Sequence, residues 1–447
     1  MSTSFVTLQK PKDISVHEIE AELAQIWQSQ IGDTATPVTP VATRAATFSM
    51  VIYEPEEFQQ LLAILGFYEG AIEGVNGPKM KEAVKAAQKA YDLPINGRVD
   101  PATLTKLREE YAKLPPDQAK MTNEDHRGSS VADAIAAQNP CRIITLTPTF
   151  EEDQGVTAQV SAYCPILKKT SNNLMCCEYI TLKGTKEALN RVGDMAATLM
   201  VPELPKFVWW KATPNPEHEL FKKMVECCRC IILDSSYYSD PESEFLKMVE
   251  LIEAETYVAD LNWHRFSAWQ ELTAASFDPP ERREYIQEID RVTIDYEKGN
   301  PAQALMFLGW LASRLEWKPV AYQAETNDFY DFIHIDLVGP KQQRIKAELA
   351  GVPIGDPGEI IGDLIGISLT SSNPKADCNT IICSETTGCM RMEAKGGAQI
   401  AKTEQVTATA DQKAEFLMSQ QLQRWGRDVL YEESMALVAQ MLRLRQA

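Results

Sequence analysis

The sequence predicts an α/β protein, with mixed sheets and flanking helices in two lobes, plus a small all-α module of three helices. Strand-like apolar runs alternate with amphipathic helical runs from residue 139 onward, which is typical of helices packed on a sheet. Residues 54–114 instead contain three helical stretches separated by two glycine turns. At 447 residues, the chain is long enough for two or three separate cores.

The start of the chain predicts three segments in order. Residues 1–53 combine an amphipathic helix, a Thr/Pro-rich linker and a first core strand, ATFSMVIY. Residues 54–114 form the helical module, in which Pro78 and Pro101 take the first position of their helices. Residues 115–138 predict a polar linker that ends in a short helix, SSVADAIAAQ.

The rest of the chain predicts two α/β domains. Residues 139–275 alternate the strands CRIITLTP, CCEYITLKG and KFVWWKA with helices such as TKEALNRVGDMAATLM. Residues 276–447 surround a strongly apolar helix, AQALMFLGWLASRLEW, which Asn300 and Pro301 cap. Residues 409–445 predict one long C-terminal helix.

The charge of the chain bears on its partners. The net charge is −19 and the pI is near 4.9, which opposes binding to nucleic acid or to an anionic membrane. The N-terminus lacks the basic and apolar segments of a signal peptide, and no run of about 18 uncharged apolar residues could span a bilayer. We therefore expect a cytoplasmic protein with no nucleic-acid or membrane partner.

Common catalytic and cofactor motifs are missing from the sequence. No GxGxxG, GxxxxGK[ST], HExxH or GxSxG pattern is present, so we expect neither catalysis nor a bound cofactor or metal. An unrecognised enzyme remains an alternative, because His334 and Asp336 share a face of one predicted strand. A solvated or cross-strand polar pair is the favoured explanation for these two residues.

Most of the ten cysteines are predicted to be buried packing residues, because free cysteine is among the most buried residue types. Adjacent residues of a strand point to opposite faces, so the vicinal pairs are not expected to bind one metal ion. This group comprises Cys141, Cys164, Cys176, Cys177, Cys227, Cys228 and Cys230.

The cysteines of CSETTGC, Cys383 and Cys389, differ from this group. A hairpin centred on Thr386 would place them directly opposite each other, at a separation that overlaps disulfide geometry. The closed loop is short, so a bond would add only about 2 to 2.5 kcal/mol of stability and would be reversible. Two free thiols, or a metal site that includes Cys378, are the alternatives.

Five stretches carry a family resemblance. They are NPCRIITL, LPKFVWWKATP, RCIILDSSYY, DLNWHRFSAWQEL and LGWLASRLEW, in that order between residues 139 and 317. Together they resemble the glucose-6-phosphate dehydrogenase assembly proteins known as OpcA, of the cyanobacterial type with an inserted module. The resemblance implies an OpcA-type N-terminal domain at 139–275 and a C-terminal domain at 276–447 that carries the redox hairpin.

The same resemblance implies a function. It suggests a non-catalytic partner that promotes the active, oligomeric form of glucose-6-phosphate dehydrogenase and so supports NADPH production in the oxidative pentose phosphate pathway. The dehydrogenase would hold substrate and NADP, and this chain would hold neither. Because cyanobacterial relatives are associated with thioredoxin control, the resemblance also implies that Cys383 and Cys389 form a switch, oxidised when the enzyme runs and reduced in light.

Residues 54–114 separately resemble a peptidoglycan-binding-like module. The matching positions are Leu62, Leu65, Gly66, Phe67, Tyr68, Gly70, Gly74, Gly77, Pro78, Asn96 and Gly97. Glu73, Met80 and Ala87 replace the Asp, Thr and Phe that are usual in that family, which argues against wall binding. A glycan-binding protein is therefore a second alternative function.

Tryptophan and arginine dominate binding hot spots, and this chain concentrates them in two stretches. The candidate partner-binding residues are Trp209, Trp210, Trp263, His264, Arg265, Phe266 and Trp269. Because Trp263, Phe266 and Trp269 also recur at helical spacing, core packing is the competing interpretation.

Overall fold

The computed structural model confirms the predicted α/β class with two lobes and a small helical module. It describes residues 5–31, 41–44, 46–55, 57–68, 78–114, 135, 139–149, 153–165, 173–212, 214–238, 240–326, 330–353, 362–376, 379–385, 389–395, 403–408, 414–424 and 426–445. The chain divides into two compact units. The first comprises Met1–Leu233, Thr256–Ala259 and Ala414–Arg424, and the second Asp234–Glu255, Asp260–Lys413 and Trp425–Ala447.

A sheet with the strand order β1-β5-β6-β4-β3-β7-β8-β9 forms the centre of the first unit, and β2 also pairs with β6. Its middle strands are parallel. Parallel strands that are covered on both faces have continuous apolar sequences, as these strands do. The strands are β1 Phe5–Ile14, β2 Val41–Arg44, β3 Ser49–Tyr53, β4 Arg142–Pro148, β5 Thr157–Pro165, β6 Asn173–Gly184, β7 Lys206–Trp210, β8 Cys230–Leu233 and β9 Val258–Asp260.

The predicted N-terminal helix is confirmed as α1, Ile19–Ile31, and a buried ion pair lies beside it. Arg142 donates through Nε to Glu178 at 2.7 Å and through Nη1 to Glu20 of α1 at 2.6 Å. Trp27 of α1 donates through Nε1 to the same Glu178 carboxylate at 2.6 Å. Buried charges are tolerated when they are paired in this way, so the network fixes α1 on the sheet.

The three-helix module is also confirmed, as α2 Glu57–Ile64, α3 Pro78–Ala90 and α4 Pro101–Tyr111. Buried Gln88 accepts the amides of Asn96 and Gly97 at 3.1 and 2.9 Å, which holds the turn between α3 and α4. Gly97 has a φ of +68°, a conformation that favours glycine. The predicted motif positions Gly70, Gly74 and Gly77 lie outside the described residues.

Further helices of the first unit lie within the described residues. They are α5 Lys186–Arg191, α6 Gly193–Thr198, α7 Glu219–Cys227 and α13 Ala414–Gln423. Residues 409–445 were predicted as one helix, and this is wrong. The described residues contain α13 and a separate helix, α14 Val429–Arg445, and the chain passes from the first unit to the second between them. Asp428 accepts the Tyr431 amide at 3.1 Å and so starts α14 anew.

The second unit is built on a sheet with the strand order β11-β12-β13-β10-β14-β15-β16-β17. The pairing of β10 with β13 is parallel and the other pairings are antiparallel. The strands are β10 Arg291–Glu297, β11 Lys318–Thr326, β12 Asp331–Val338, β13 Arg344–Val352, β14 Leu364–Thr370, β15 Asn379–Glu385, β16 Cys389–Lys395 and β17 Thr403–Ala408.

One face of this second sheet is buried and the other is partly exposed, which gives β10 its alternating pattern. The accompanying helices are α8 Pro241–Glu253, α9 Leu261–Arg265, α10 Ser267–Ala275, α11 Pro280–Arg283, α12 Ala302–Arg314 and α14. The predicted cap of α12 is confirmed, since Asn300 accepts the Ala302 amide at 2.8 Å. Gly309 of α12 lies against Ser434 of α14, and a Cβ there would be only 2.7 Å from the Ser434 carbonyl oxygen.

Candidate functional site

The predicted redox hairpin is present as the antiparallel pair β15 and β16, but its register differs from the prediction. Cys383 lies opposite Arg391, and Cys389 lies opposite Glu385. The prediction that the two cysteines face each other directly is therefore wrong by two residues. They are diagonal neighbours, and diagonal positions are about 7 Å apart, too far for a disulfide.

The alternation of side chains along a strand explains why the prediction placed β15 and β16 in the wrong register. Ile382 is buried opposite Ile367, which fixes the core face of β15. A slide of two residues between β15 and β16 keeps every residue on its own face, so alternation permits both registers. The side chains of Cys383 and Cys389, and the whole of Cys378, lie outside the described residues, so the disulfide itself stays a prediction.

A different cysteine pair is bonded in the structure. Cys164 of β5 and Cys176 of β6 form a disulfide with an S–S distance of 1.98 Å, and both are fully buried. Their assignment as packing thiols is therefore wrong. The antiparallel register pairs Tyr163 with Cys177, so the next positions along the two strands place Cys164 and Cys176 opposite each other. The polar stretch KKTSNN between two apolar runs was the signal that could have revealed this hairpin.

Cys227 and Cys228 also depart from the prediction. Their sulfurs are 3.6 Å apart, whereas strand alternation would have pointed them to opposite sides. The alternation argument fails because Cys227 is the last residue of α7, and only Cys228 is extended. Cys230 behaves as predicted: it is fully buried on β8, and burial raises the pKa of its thiol.

The residues predicted as a possible contact surface have exposed fractions of only 0% to 7%. These are Trp209, Trp210, Trp263, His264, Arg265, Phe266 and Trp269. Trp210 stacks on Tyr53 with ring centroids 3.9 Å apart, and the Lys211 ammonium lies 4.5 Å from the Trp209 ring. Core packing therefore describes these residues in this structure. Partner binding through them stays a prediction, and the structure exposes little of their side chains.

Arg265 belongs to a buried polar cluster in the second unit. Its guanidinium donates to both carboxylate oxygens of Asp234, at 2.6 and 2.8 Å. Nearby, Asn300 donates to the Ser235 and Ser236 carbonyls at 3.1 and 3.0 Å. Such bidentate pairs are geometrically specific, so this arrangement holds α9 and the start of α12 in place.

Asp260 adds a second carboxylate to this cluster. Its Oδ1 accepts the backbone amides of Ser235 and Asn262 at 3.0 and 2.9 Å. Its Oδ2 is buried without a hydrogen-bond partner. Burial, helped by the neighbouring charge of Asp234, raises the pKa of Asp260 to about 6. Asp260 is thus the N-cap of α9, and its burial disfavours the charged form of its carboxyl.

His334 and Asp336 lie on β12, as the enzyme alternative required. His334 pairs across the strands with Glu348, with Nδ1 and Oε2 3.6 Å apart, and both side chains are more than 40% exposed. Asp336 is exposed and lies opposite Lys346 on the neighbouring strand. This is the cross-strand polar arrangement that the sequence favoured.

Two further observations concern the described residues only. Within these residues, no group of three or more His, Cys, Asp or Glu side chains is placed to share a metal ion. In the same part of the chain, no helix is long and apolar enough to cross a bilayer.

Fold and site together define a class: a two-unit α/β protein with an inserted three-helix module. A family profile described as "Glucose-6-phosphate dehydrogenase subunit N-terminal domain" matches residues 132–250, and its C-terminal counterpart matches 256–435. A peptidoglycan binding domain profile matches 54–107. The chain belongs to the OpcA family.

Relatives over the full length support this membership. The chain is 53% identical to the OxPP cycle protein OpcA of Synechococcus elongatus over 444 residues, which covers 99% of each chain. It is 55% identical to the protein of the same name from Nostoc punctiforme, covering 99% of this chain and 96% of that one. A third relative, from Synechocystis, is 51% identical and has 94% of its length covered.

Solved structures align with the chain only weakly. A biliverdin reductase from Synechocystis has a TM-score of 0.39 at 8% identity, over 71% of this chain and 96% of that one. A 3-ketoreductase from Actinomadura kijaniata has a TM-score of 0.37 at 10% identity, over 54% and 76% of the two chains. Likeness at this level says nothing about activity.

Proposed function

We propose that this chain is a non-catalytic assembly factor and allosteric activator of glucose-6-phosphate dehydrogenase in the oxidative pentose phosphate pathway. The observation that carries the proposal is the full-length match to OpcA proteins, together with profiles for both domains of a glucose-6-phosphate dehydrogenase subunit. The acidic net charge of −19 argues against a nucleic-acid partner, and we further propose a cytoplasmic location.

An activator of this kind acts by differential binding. It must bind the competent conformation of the dehydrogenase more tightly than the other conformations, since equal affinity shifts no population. A hundredfold shift in the equilibrium corresponds to about 2.7 kcal/mol of differential affinity. One well-packed contact patch supplies energy of that size.

The test is a titration of purified dehydrogenase with this chain at fixed substrate and NADP concentrations. We expect activity to rise and to saturate as the complex forms, while the chain alone turns over nothing. Activity that stays constant at a chain concentration where binding is demonstrated by light scattering would refute activation.

We further propose that Cys383 and Cys389 form a reversible disulfide that switches this activation, with thioredoxin as reductant. A thioredoxin thiolate would attack one sulfur to form a mixed disulfide, and its second thiol would then release the chain with both cysteines reduced. Because the cysteines are diagonal in the described register, closing the bond requires β16 to slide by two residues along β15. The two redox states would then present different edges of the hairpin to a partner.

The bonded pair Cys164 and Cys176 is the built-in control for this proposal, because it offers a second possible switch. We expect Cys383→Ser and Cys389→Ser to remove the effect of dithiothreitol on activation, and Cys164→Ser to leave that effect in place. The reverse result would assign the switch to Cys164 and Cys176.

The peptidoglycan binding domain match supports a second candidate function, glycan binding through residues 54–107. Sedimentation with purified murein tests it directly. Binding that disappears when this module is deleted would favour glycan binding, whereas intact activation and no sedimentation would favour the assembly factor.

A further inference from the structure

Three sulfur atoms lie at short distances along the sequence Cys227, Cys228 and Met200 in the first unit, where α7 ends. Cys227 Sγ lies 3.6 Å from Cys228 Sγ, and Cys228 Sγ lies 3.8 Å from the thioether sulfur of Met200. Both cysteines are partly exposed, while Met200 is buried at 1% exposure. Met200 therefore holds the cluster from the protein interior, and solvent can reach the two thiols.

Local backbone geometry creates the cluster. Cys227 ends α7, and Cys228 leaves the helix with φ −113° and ψ 152°. This change of direction turns both thiols to the same side. Met200 follows α6 and precedes β7, where the Lys206 carbonyl accepts the Arg229 amide at 2.8 Å. The positive charge of Lys206 acts on the thiols of both Cys227 and Cys228.

Both separations are compatible with a soft metal ion bound by three sulfur ligands. With metal–sulfur bonds of about 2.3 Å, three ligands around such an ion are about 4 Å apart. The two measured separations, 3.6 and 3.8 Å, are within about 0.4 Å of this value. Zinc prefers four ligands, whereas thiolate and thioether ligands together select Cu(I).

We propose that Cys227, Cys228 and Met200 form a binding site for Cu(I). Binding would release one proton from each thiol, and the copper would stay Cu(I), so no electron is transferred. The resulting site carries one net negative charge, which the Lys206 ammonium offsets. The proposal is independent of any action on the dehydrogenase.

The test uses the full-length chain with its Cys164–Cys176 disulfide intact and with Cys378, Cys383 and Cys389 replaced by serine, so that these other cysteines do not compete for copper. Cu(I) is titrated against the chelator bicinchoninate. We expect the chain to take up one tight equivalent, which Cys227→Ser and Cys228→Ser each abolish. Met200→Leu should weaken binding by about tenfold or more, as loss of a supporting ligand does. Cys230→Ala is the matched control, since Cys230 lies two residues after Cys228 and is fully buried. This variant should bind Cu(I) normally.

A second measurement covers variants that fail to fold. X-ray absorption of the copper-loaded parent chain should show three sulfur neighbours at about 2.3 Å. Copper should also protect Cys227 and Cys228 from alkylation by iodoacetamide. Uptake that survives Cys228→Ser, nitrogen or oxygen neighbours in place of sulfur, or protection of other cysteines would overturn the proposal.

Discussion

Asp260 makes the stability of the second unit depend on pH in a defined direction. Burial and Asp234 raise the pKa of this carboxyl to about 6, against about 3.9 for an unperturbed Asp. The folded state therefore holds the proton more tightly than the unfolded state. Stability from this group is present below about pH 4 and is lost as the pH rises through about 6.

The size of the effect follows from the shift. A difference of about 2 pKa units corresponds to on the order of 3 kcal/mol. Asp260→Asn removes the charge but keeps an oxygen that can accept the amides of Ser235 and Asn262. Relative to the wild type, the variant should therefore gain about 3 kcal/mol of unfolding free energy between pH 4 and pH 7.5.

Urea unfolding followed by tryptophan fluorescence at a series of pH values measures this difference directly. Asp336→Asn is the matched control, because Asp336 is an exposed carboxylate of the same unit, and its curve should run parallel to the wild type. A constant offset between wild type and Asp260→Asn at every pH would refute the argument, since it would mean that the buried carboxyl titrates normally.

Three further predictions concern stability. Arg265→Met leaves Asp234 buried without its bidentate partner and should cost about 3 to 5 kcal/mol in urea unfolding, part of which the double variant with Asp234→Asn recovers. Gly309→Ala places a Cβ against α14 and should cost about 1 to 3 kcal/mol, whereas Gly426→Ala, with open space around it, should change stability by less than about 0.5 kcal/mol. Cys164→Ser should lower stability by about 3 kcal/mol more under oxidising conditions than in dithiothreitol, where only the buried hydroxyl costs stability; equal loss in both conditions would contradict a disulfide contribution.

Local signals in the sequence predicted the elements that depend on local physics. The apolar positions of α1 and the cap of α12 at Asn300 are each set by residues within a few positions along the chain. The helical module is similar, since its glycine turn and proline-started helices need no distant partner. These elements were found in the predicted places.

Two of the errors have a different cause, which is dependence on distant partners. The register of β16 and the pairing of Cys164 with Cys176 depend on which residues face each other across two strands. The alternation of side chains between the two faces of a strand is the same in registers that differ by two residues. The sequence pattern therefore could not choose between these registers. The closeness of Cys227 and Cys228 depends on one residue of helix length, a boundary that sequence patterns rarely fix.

The most direct test of the central proposal is the mass of glucose-6-phosphate dehydrogenase by native mass spectrometry, with and without this chain in its oxidised form. We predict that adding the chain converts the dehydrogenase to a larger oligomer that contains the chain, in step with the rise in activity. An unchanged dehydrogenase mass at saturating chain, with no mixed complex, would contradict an assembly role.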